Sequence, residues 1–214
     1  MTLRLFSFWR SSAAYRVRIA LAVKGLRYEQ VATHLGRGAQ RAADFVGRNP
    51  QGFVPALDED GFVLGESLAI IEYLDETQPE PPLLPAGSRD RAVVRSMAQF
   101  IACDIHPLNN LRVLNYLKGP LGQDQDSVNR WYRHWIGEGF AGLEVLARRH
   151  SGDGAHLFGA SVTLADVCLV PQLYNARRFD TDLTPFPTLV AIGAALAARP
   201  AFAAAAPEAQ PDAE

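Results

Sequence analysis

The sequence predicts an α/β domain followed by an all-helical domain, and three observations carry that prediction. Over residues 1–80 the apolar periodicity alternates between two, as in strands, and about 3.6, as in helices. A proline-rich stretch then interrupts the chain, and beyond it only helical spacing is found. With 214 residues, 48% of them hydrophobic, each part can enclose a core of its own.

The elements follow in order. Leu3-Arg4-Leu5-Phe6-Ser7-Phe8 alternates as a strand does, and Tyr15 to Val23 then takes helical spacing, with Val17, Ala20, Leu21 and Lys24 a turn apart and Gly25 as the stop. Tyr28 to Val31 reads as a second strand and residues 39–48 as a short helix ending near Asn49-Pro50. Ala56-Leu57-Asp58 and Phe62-Val63-Leu64 flank Glu59-Asp60-Gly61, a hairpin signal. Leu68, Ile71 and Leu74 then mark a helix. This β-α-β-α-β-β-α order is that of a thioredoxin-like domain, placed at 1–80. Four prolines among residues 79–85 predict a stiff linker over 81–87. Helices are expected over about 88–118, 124–149 and 163–176, with shorter pieces after 186, giving a helical domain over 88–204. The Ala-, Pro- and acid-rich residues 205–214 are expected to be a disordered tail.

Charge excludes several classes of function. The chain carries 9 basic and 10 acidic residues before Pro81 and 12 and 13 from there on, so neither half is a basic patch that would suit nucleic acid or a membrane surface. The start lacks the apolar core of a signal peptide, and no stretch approaches roughly 18 uninterrupted apolar residues, so a cytoplasmic protein is expected. Two cysteines far apart, Cys103 and Cys168, suggest neither a metal site nor a disulfide framework. Thr163-x-x-Asp166 has the spacing of a capping box, and Val162 with Val167 that of a hydrophobic staple; loss of either box partner is expected to destabilise by about 1 kcal/mol.

Two segments hold most of the functional signal. In Asn49-Pro50-Gln51-Gly52-Phe53-Val54-Pro55-Ala56-Leu57 the Val-Pro step favours a tight turn before a short strand, with the peptide bond left open between cis and trans. In Glu66-Ser67-Leu68-Ala69-Ile70-Ile71-Glu72-Tyr73-Leu74 a carboxylate and a hydroxyl precede a helix, whose first N–H groups and positive dipole end suit a carboxylate, while Glu66 can pair with an ammonium.

Together with Arg10 to Leu21, Cys103 to Arg112, Thr163 to Asp166 and Leu169 to Gln172, these segments resemble the zeta class of glutathione transferases, the group that contains the maleylacetoacetate and maleylpyruvate isomerases. The resemblance spans nearly the whole chain. It implies glutathione as cofactor, with its cysteinyl part added as an extra strand against the Val54 backbone and its γ-glutamyl end held by Glu66 and Ser67. Gln40 aligns with a position that contacts the glycyl end. A homodimer is also implied. The class usually has Ser-Ser-Cys where this chain has Ser11-Ser12-Ala13, so any role of that cysteine cannot operate here. Phe8-Trp9-Arg10-Ser11, Asn110-Leu111-Arg112 and Ala176-Arg177-Arg178-Phe179 incline the resemblance toward maleylpyruvate.

The implied reaction is glutathione-dependent cis–trans isomerisation of maleylpyruvate by reversible thiolate addition to the olefin, with maleylacetoacetate as the nearest alternative. A thiol of pKa about 8.5 is only roughly 3% ionised at pH 7. Ser11 or Ser12, where a strand hands over to a helix, can favour the anion, with Ser11 preferred; Arg10 completes the catalytic set. Arg10, Arg112 and Arg178, with Asn110, are the candidate clamp for a diacid, because a guanidinium grips a carboxylate through two parallel bonds. Arg177 stands beside Arg178 and the sequence does not separate them. His106 and Asn110, read as one turn apart on a single helix, are candidates for glutathione or substrate contact. Arg16 belongs to the first-helix motif that carries the resemblance; the other reading is that Arg16 and Arg18 form ion pairs between domains or at the surface, and Arg16 is kept out of the catalytic set. Two further readings stay open: a general transferase or dehalogenase of small α-halo acids, and a glutathione-binding protein without turnover.

Overall fold

A computed structural model describes residues 2–214. The chain divides into two compact units, one built from the residues up to Leu83 together with Ala198–Glu214, the other from Leu84–Ala197.

The first unit is built on a four-stranded sheet, β1 (Leu3–Ser7), β2 (Glu29–Ala32), β3 (Ala56–Glu59) and β4 (Phe62–Gly65), in the order β2-β1-β3-β4. β1 and β2 are parallel and the other pairs antiparallel, with Phe6 opposite both Val31 and Ala56. The parallel pair requires a crossover, supplied by helix α1 (Ser12–Val23). Gly25, at φ 65°, ends that helix: its N–H reaches Ala22 O at 3.2 Å and Leu26 N–H reaches Leu21 O at 2.9 Å, the paired bonds of a left-handed helix stop. The β3–β4 turn is the hairpin expected, with Asp60 and Gly61 both at positive φ and Asp58 Oδ1 accepting Gly61 N–H at 2.9 Å. Phe6, Phe8, Trp9, Phe45, Val54 and Ala56 form a buried cluster under the sheet's end.

Residues 39–48 divide into a 3₁₀ turn (Ala39–Arg41) and α2 (Ala43–Arg48), and α3 spans Ser67–Thr77. Lys24 Nζ, fully buried, ties the end of α1 to the end of α3 through Asp75 Oδ1 at 2.8 Å, Gln78 O at 2.7 Å and Pro81 O at 3.1 Å. An ammonium has three donors and here all three are used, which is the condition for burying it.

The second unit contains α4 (Ser88–Gln99), α5 (Leu111–Lys118), α6 (Gln125–His150), α7 (Leu164–Arg178) and α8 (Pro187–Ala197). The single helix expected over 88–118 is not there. After α4 the chain runs through a π-helical turn, Phe100–Ile105, and a 3₁₀ turn, His106–Asn109; Asn110 is extended (φ −66°, ψ 147°) before α5 begins. Two causes are visible. Pro107 cannot donate to the helical ladder, and α6 holds the turn in place: Trp131 Nε1–H donates to Leu108 O at 2.7 Å and Asn109 Nδ2 to Tyr132 O at 3.2 Å. Gly139 of α6 lets Ile105 approach so closely that a Cβ there would clash with it. Trp131 and Trp135 meet edge to face, 5.6 Å apart, as half-buried neighbours.

The capping box at α7 is present and carries more than expected. Buried Asp166 takes Thr163 N–H and Thr163 Oγ1 on Oδ2 at 2.7 and 2.8 Å, and Leu157 N–H on Oδ1 at 2.7 Å. Burial pushes its carboxyl above the ordinary carboxylate range, against the pull of these donors. Helix α8 begins at Pro187 and is capped from outside: Glu144 of α6 accepts Thr188 N–H at 3.1 Å and Leu189 N–H at 3.0 Å.

The C-terminal segment corrects two expectations. Ala198–Glu214 belongs with the first unit, so the helical unit ends at Ala197, and α9 (Pro200–Ala205) packs on α1. Residues 205–214 are not a disordered tail. Pro207–Ala209 form a 3₁₀ turn, Gln210 Nε2 donates to Ala204 O and Ala206 O, and the acidic residues beyond find donors of their own. No helix among the described residues is long and apolar enough to cross a membrane.

Candidate functional site

In the first unit the sequence-predicted residues sit where loops leave the sheet. β1 ends at Ser7 and α1 starts at Ser12, so Phe8 to Ser11 form the connecting loop. Ser11 is the N-cap: its Oγ accepts Ala14 N–H at 3.3 Å and its carbonyl accepts Tyr15 N–H at 2.8 Å. A hydroxyl has one donor and two acceptor lone pairs, so capping leaves the Ser11 O–H to donate outward. Ser12, the first helical residue, is buried, whereas Ser11 is half-buried. Arg10 is exposed, its guanidinium 4.8 Å from the centre of the Trp9 ring.

The loop is held by Arg18, read from the sequence as an ion-pairing residue between domains or at the surface and found here buried against the loop's backbone. Arg18, almost fully buried on α1, donates to Ser7 Oγ at 3.0 Å, Phe8 O at 3.4 Å, Trp9 O at 2.9 Å and Ala205 O at 3.0 Å. Burial lowers its pKa to about 10, so it still carries its charge at neutral pH. Arg16 corrects the surface reading given to it. It is buried at 1% exposure and its Nη1 donates to Ser67 Oγ at 3.2 Å, joining α1 to the first turn of α3 within the unit. Only an arginine at this helical spacing with no nearby acid in sequence hinted at either burial.

The peptide before Pro55 is cis. Ladder pairing of β3 begins at Ala56, which leaves Val54 outside the β1–β3 and β3–β4 ladders at the strand's entry. Asn49 shapes this approach, its Nδ2 donating to Phe53 O at 2.9 Å. Glu66 precedes α3 at φ 65°, ψ 115°, a strained conformation for a residue with a Cβ and one of only a few such positions in the described chain. Glu66 is exposed while Ser67, the first residue of α3, is buried. Gln40 lies in the 3₁₀ turn before α2 and its Oε1 is buried without a hydrogen-bond partner, an acceptor that the fold does not satisfy.

In the second unit, His106 opens the 3₁₀ turn and Asn110 caps α5, its Oδ1 accepting Arg112 N–H at 3.1 Å. The expectation that His106 and Asn110 share one α-helical face is therefore corrected, as is the placement of Arg112 on a long helix: it lies in the first turn of the short α5. Arg112 and Arg178 are both exposed. Arg178, the last residue of α7, stands 4.9 Å from the Phe179 ring, which stacks on Tyr132 at 3.6 Å. Burial pushes the Tyr132 hydroxyl up to about 12, despite the charge of Arg178. Arg177 is exposed too, so burial does not separate it from Arg178. No grouping of three or more metal-ligating side chains occurs among the described residues.

Chemically, the first unit offers a hydroxyl donor at a helix start, an unpaired strand entry, a second helix start with a strained carboxylate beside it, and an unsatisfied amide oxygen. Residues 1–76 match the family model described as Glutathione S-transferase, N-terminal domain. The chain is 54% identical to a probable maleylacetoacetate isomerase of Vibrio cholerae, over all of this chain and 99% of that one. It is similar to the holo structure of a maleylpyruvate isomerase described as a bacterial glutathione S-transferase of the zeta class: TM-score 0.96, 47% identity, covering 99% of this chain and 100% of that one. A maleylacetoacetate isomerase from Methylobacterium extorquens AM1, solved with malonate and glutathione bound, matches with TM-score 0.94 and 41% identity, covering 99% of each chain.

Proposed function

This chain belongs to the zeta class of the glutathione S-transferases, the class of the maleylpyruvate and maleylacetoacetate isomerases, and from that premise we propose that it is a glutathione-dependent cis–trans isomerase whose substrate is maleylpyruvate. The observation that carries the reading is the set of groups gathered in the first unit: the Ser11 cap, the Val54 entry outside the ladder, and Glu66 held at positive φ before α3. When bound, glutathione supplies a thiolate that adds reversibly to a conjugated cis olefin and so permits rotation about that bond.

The chain's residues fit the tripeptide group by group. The Ser11 O–H donates to the sulfur and the start of α1 adds its dipole; Ser12 is the second candidate for that contact. Lowering a thiol pKa by two units needs about 2.7 kcal/mol, within reach of one charge-assisted hydrogen bond and a helix terminus. The Val54 backbone takes the cysteinyl part as an added strand. Glu66 pairs with the γ-glutamyl ammonium and Ser67 with its carboxylate, and the unsatisfied Gln40 Oε1 supports a contact at the glycyl end. From the second unit, His106 and Asn110 contact glutathione or substrate. Arg10, Arg112 and Arg178 meet the carboxylates of a diacid and the negative charge that builds on its conjugated carbonyl, a task for fixed cations. A solved relative holding malonate beside glutathione supports a dicarboxylate site.

Maleylacetoacetate is the second reading, favoured by the 54% identity to a probable maleylacetoacetate isomerase. A homodimer is part of the proposal, as is a cytoplasmic location, where reduced glutathione is maintained. Arg112→Ala tests the diacid clamp: isomerisation should fall at least about tenfold, the loss of roughly 1.4 kcal/mol of transition-state stabilisation, with glutathione affinity within about twofold of wild type. Undiminished isomerisation would remove Arg112 from the site.

A further inference from the structure

The loop that carries Ser11 is held from behind by the C-terminal segment. Between the end of β1 and the start of α1, the backbone of Phe8, Trp9 and Arg10 lies outside the sheet. Within the loop Ser11 N–H donates to Phe8 O at 2.9 Å, and side chains take up further groups: the Phe8 and Trp9 carbonyls accept from Arg18, and Trp9 N–H donates to Asp212 Oδ2 at 3.1 Å. The other carboxylate oxygen, Oδ1, accepts Gln30 Nε2–H at 2.7 Å and so ties the same contact to β2. Arg18 also donates to Ala205 O, so the guanidinium joins the loop to the C-terminal segment a second time. Further along, Glu214 Oε1 accepts from His34 Nε2 and Arg37 Nη2, both at 3.1 Å. Arg37 N–H donates to His34 Nδ1 at 3.1 Å, which makes Nδ1 the acceptor and leaves Nε2 to carry the hydrogen toward Glu214. That contact fixes the turn preceding Gln40.

We propose that Asp212 is a positioning residue for the isomerase: by holding the Trp9 peptide it fixes the Ser11 hydroxyl and the start of α1 at the place where the glutathione thiolate is stabilised. The inference rests on the reading that Ser11 binds the sulfur. Its sign separates it from simple electrostatics. A carboxylate near a thiolate raises the thiol pKa by repulsion, so a bystander's removal would lower that pKa. Removal of a positioning residue raises it, because a hydrogen bond depends steeply on distance and angle.

The test is a titration of enzyme-bound glutathione by the ultraviolet absorbance of the thiolate, with kcat and KM measured beside it, in wild type, Asp212→Ala, Asp212→Asn and Asp212→Glu. In Asp212→Ala the bound thiol pKa should rise by about 0.5–1 unit; from the value of about 6.5 that a two-unit lowering gives, the thiolate at pH 7 then falls about 1.5- to threefold. kcat should fall in parallel, with the diacid KM within about twofold. Asp212→Asn keeps an oxygen for Trp9 N–H and should recover most of the shift; Asp212→Glu keeps the charge but moves the acceptor by a methylene and should not. Should the alanine variant fail to fold, the Asn and Glu pair decides the question. A bound thiol pKa that is unchanged or lowered in folded Asp212→Ala, or equal in the Asn and Glu variants, overturns the proposal. A wild type that binds glutathione but isomerises neither diacid overturns the proposed function alone, and the titration still decides the role of Asp212. A wild type that binds no glutathione overturns both.

Discussion

Ser67→Ala probes both the architecture and the chemistry of the γ-glutamyl end. Ser67 is 5% exposed and accepts from Arg16, itself 1% exposed, at 3.2 Å. Removing the hydroxyl takes one acceptor from a buried guanidinium, a loss of about 1.5–3 kcal/mol when the charged donor is left unsatisfied. Arg16 keeps further interactions, which places the loss in the lower half of that range, about 1.5–2 kcal/mol. For a chain of this size each kcal/mol moves Tm by about 2–4 °C, so a fall of about 3–8 °C is expected in a thermal melt. The same hydroxyl is assigned a hydrogen bond to the γ-glutamyl carboxylate, so the glutathione Kd from titration calorimetry should rise about tenfold, or 1.4 kcal/mol. A lower Tm with Kd within twofold would leave Ser67 a purely structural link between α1 and α3. An unchanged Tm would refute the argument from the Arg16 bond.

Asp166→Ala strands three buried donors, Leu157 N–H, Thr163 N–H and Thr163 Oγ1–H, instead of the single cap foreseen from the motif, so equilibrium denaturation should show a loss of about 3–5 kcal/mol with glutathione binding retained; a loss near 1 kcal/mol would mean that water replaces the bonds. For Glu144, burial opposes ionisation, but hydrogen bonds from Thr188, Leu189 and Arg148 outweigh it and hold the carboxyl below its ordinary value of 4.5. A depressed folded pKa gives stability that is complete above the unfolded value and is lost as pH falls through the folded one. Acid unfolding followed by circular dichroism should therefore begin below about pH 4.5 and become less steep in Glu144→Gln; identical acid profiles would sink the assignment.

Much of the fold is legible in the sequence because local and tertiary preferences agree. Gly25 stops a helix and adopts φ 65°; Asp60-Gly61 turns a hairpin; Thr163 and Asp166 cap α7. What sequence missed depends on partners far along the chain. The break after Gln99 needs Gly139, Trp131 and Tyr132 of α6 as well as Pro107. Arg16, Arg18 and Lys24 look like a solvated face by type, yet all three are buried: carbonyls, a hydroxyl and a carboxylate up to 187 residues away take up Arg18 and Lys24, and the Ser67 hydroxyl accepts from Arg16. Residues 205–214 have the composition of a disordered tail, but Asp212 and Glu214 meet an N–H, an amide, an imidazole and a guanidinium. Ser11, Val54, Glu66 and Ser67, the residues proposed to hold glutathione, stand at the ends of loops beside α1, β3 and α3. The shared face assumed for His106 and Asn110 failed because it rested on a helix that tertiary contacts interrupt.

Glutathione-dependent isomerisation of a cis diacid can be followed by a proton NMR time course on maleylpyruvate, and separately on maleylacetoacetate, with and without glutathione. Rapid appearance of the trans olefin from maleylpyruvate is expected only when glutathione is present, with glutathione recovered unchanged. Faster turnover of maleylacetoacetate would transfer the assignment to the second substrate. Accumulation of a stable glutathione adduct, or no acceleration of either diacid by a protein that binds glutathione, would contradict it.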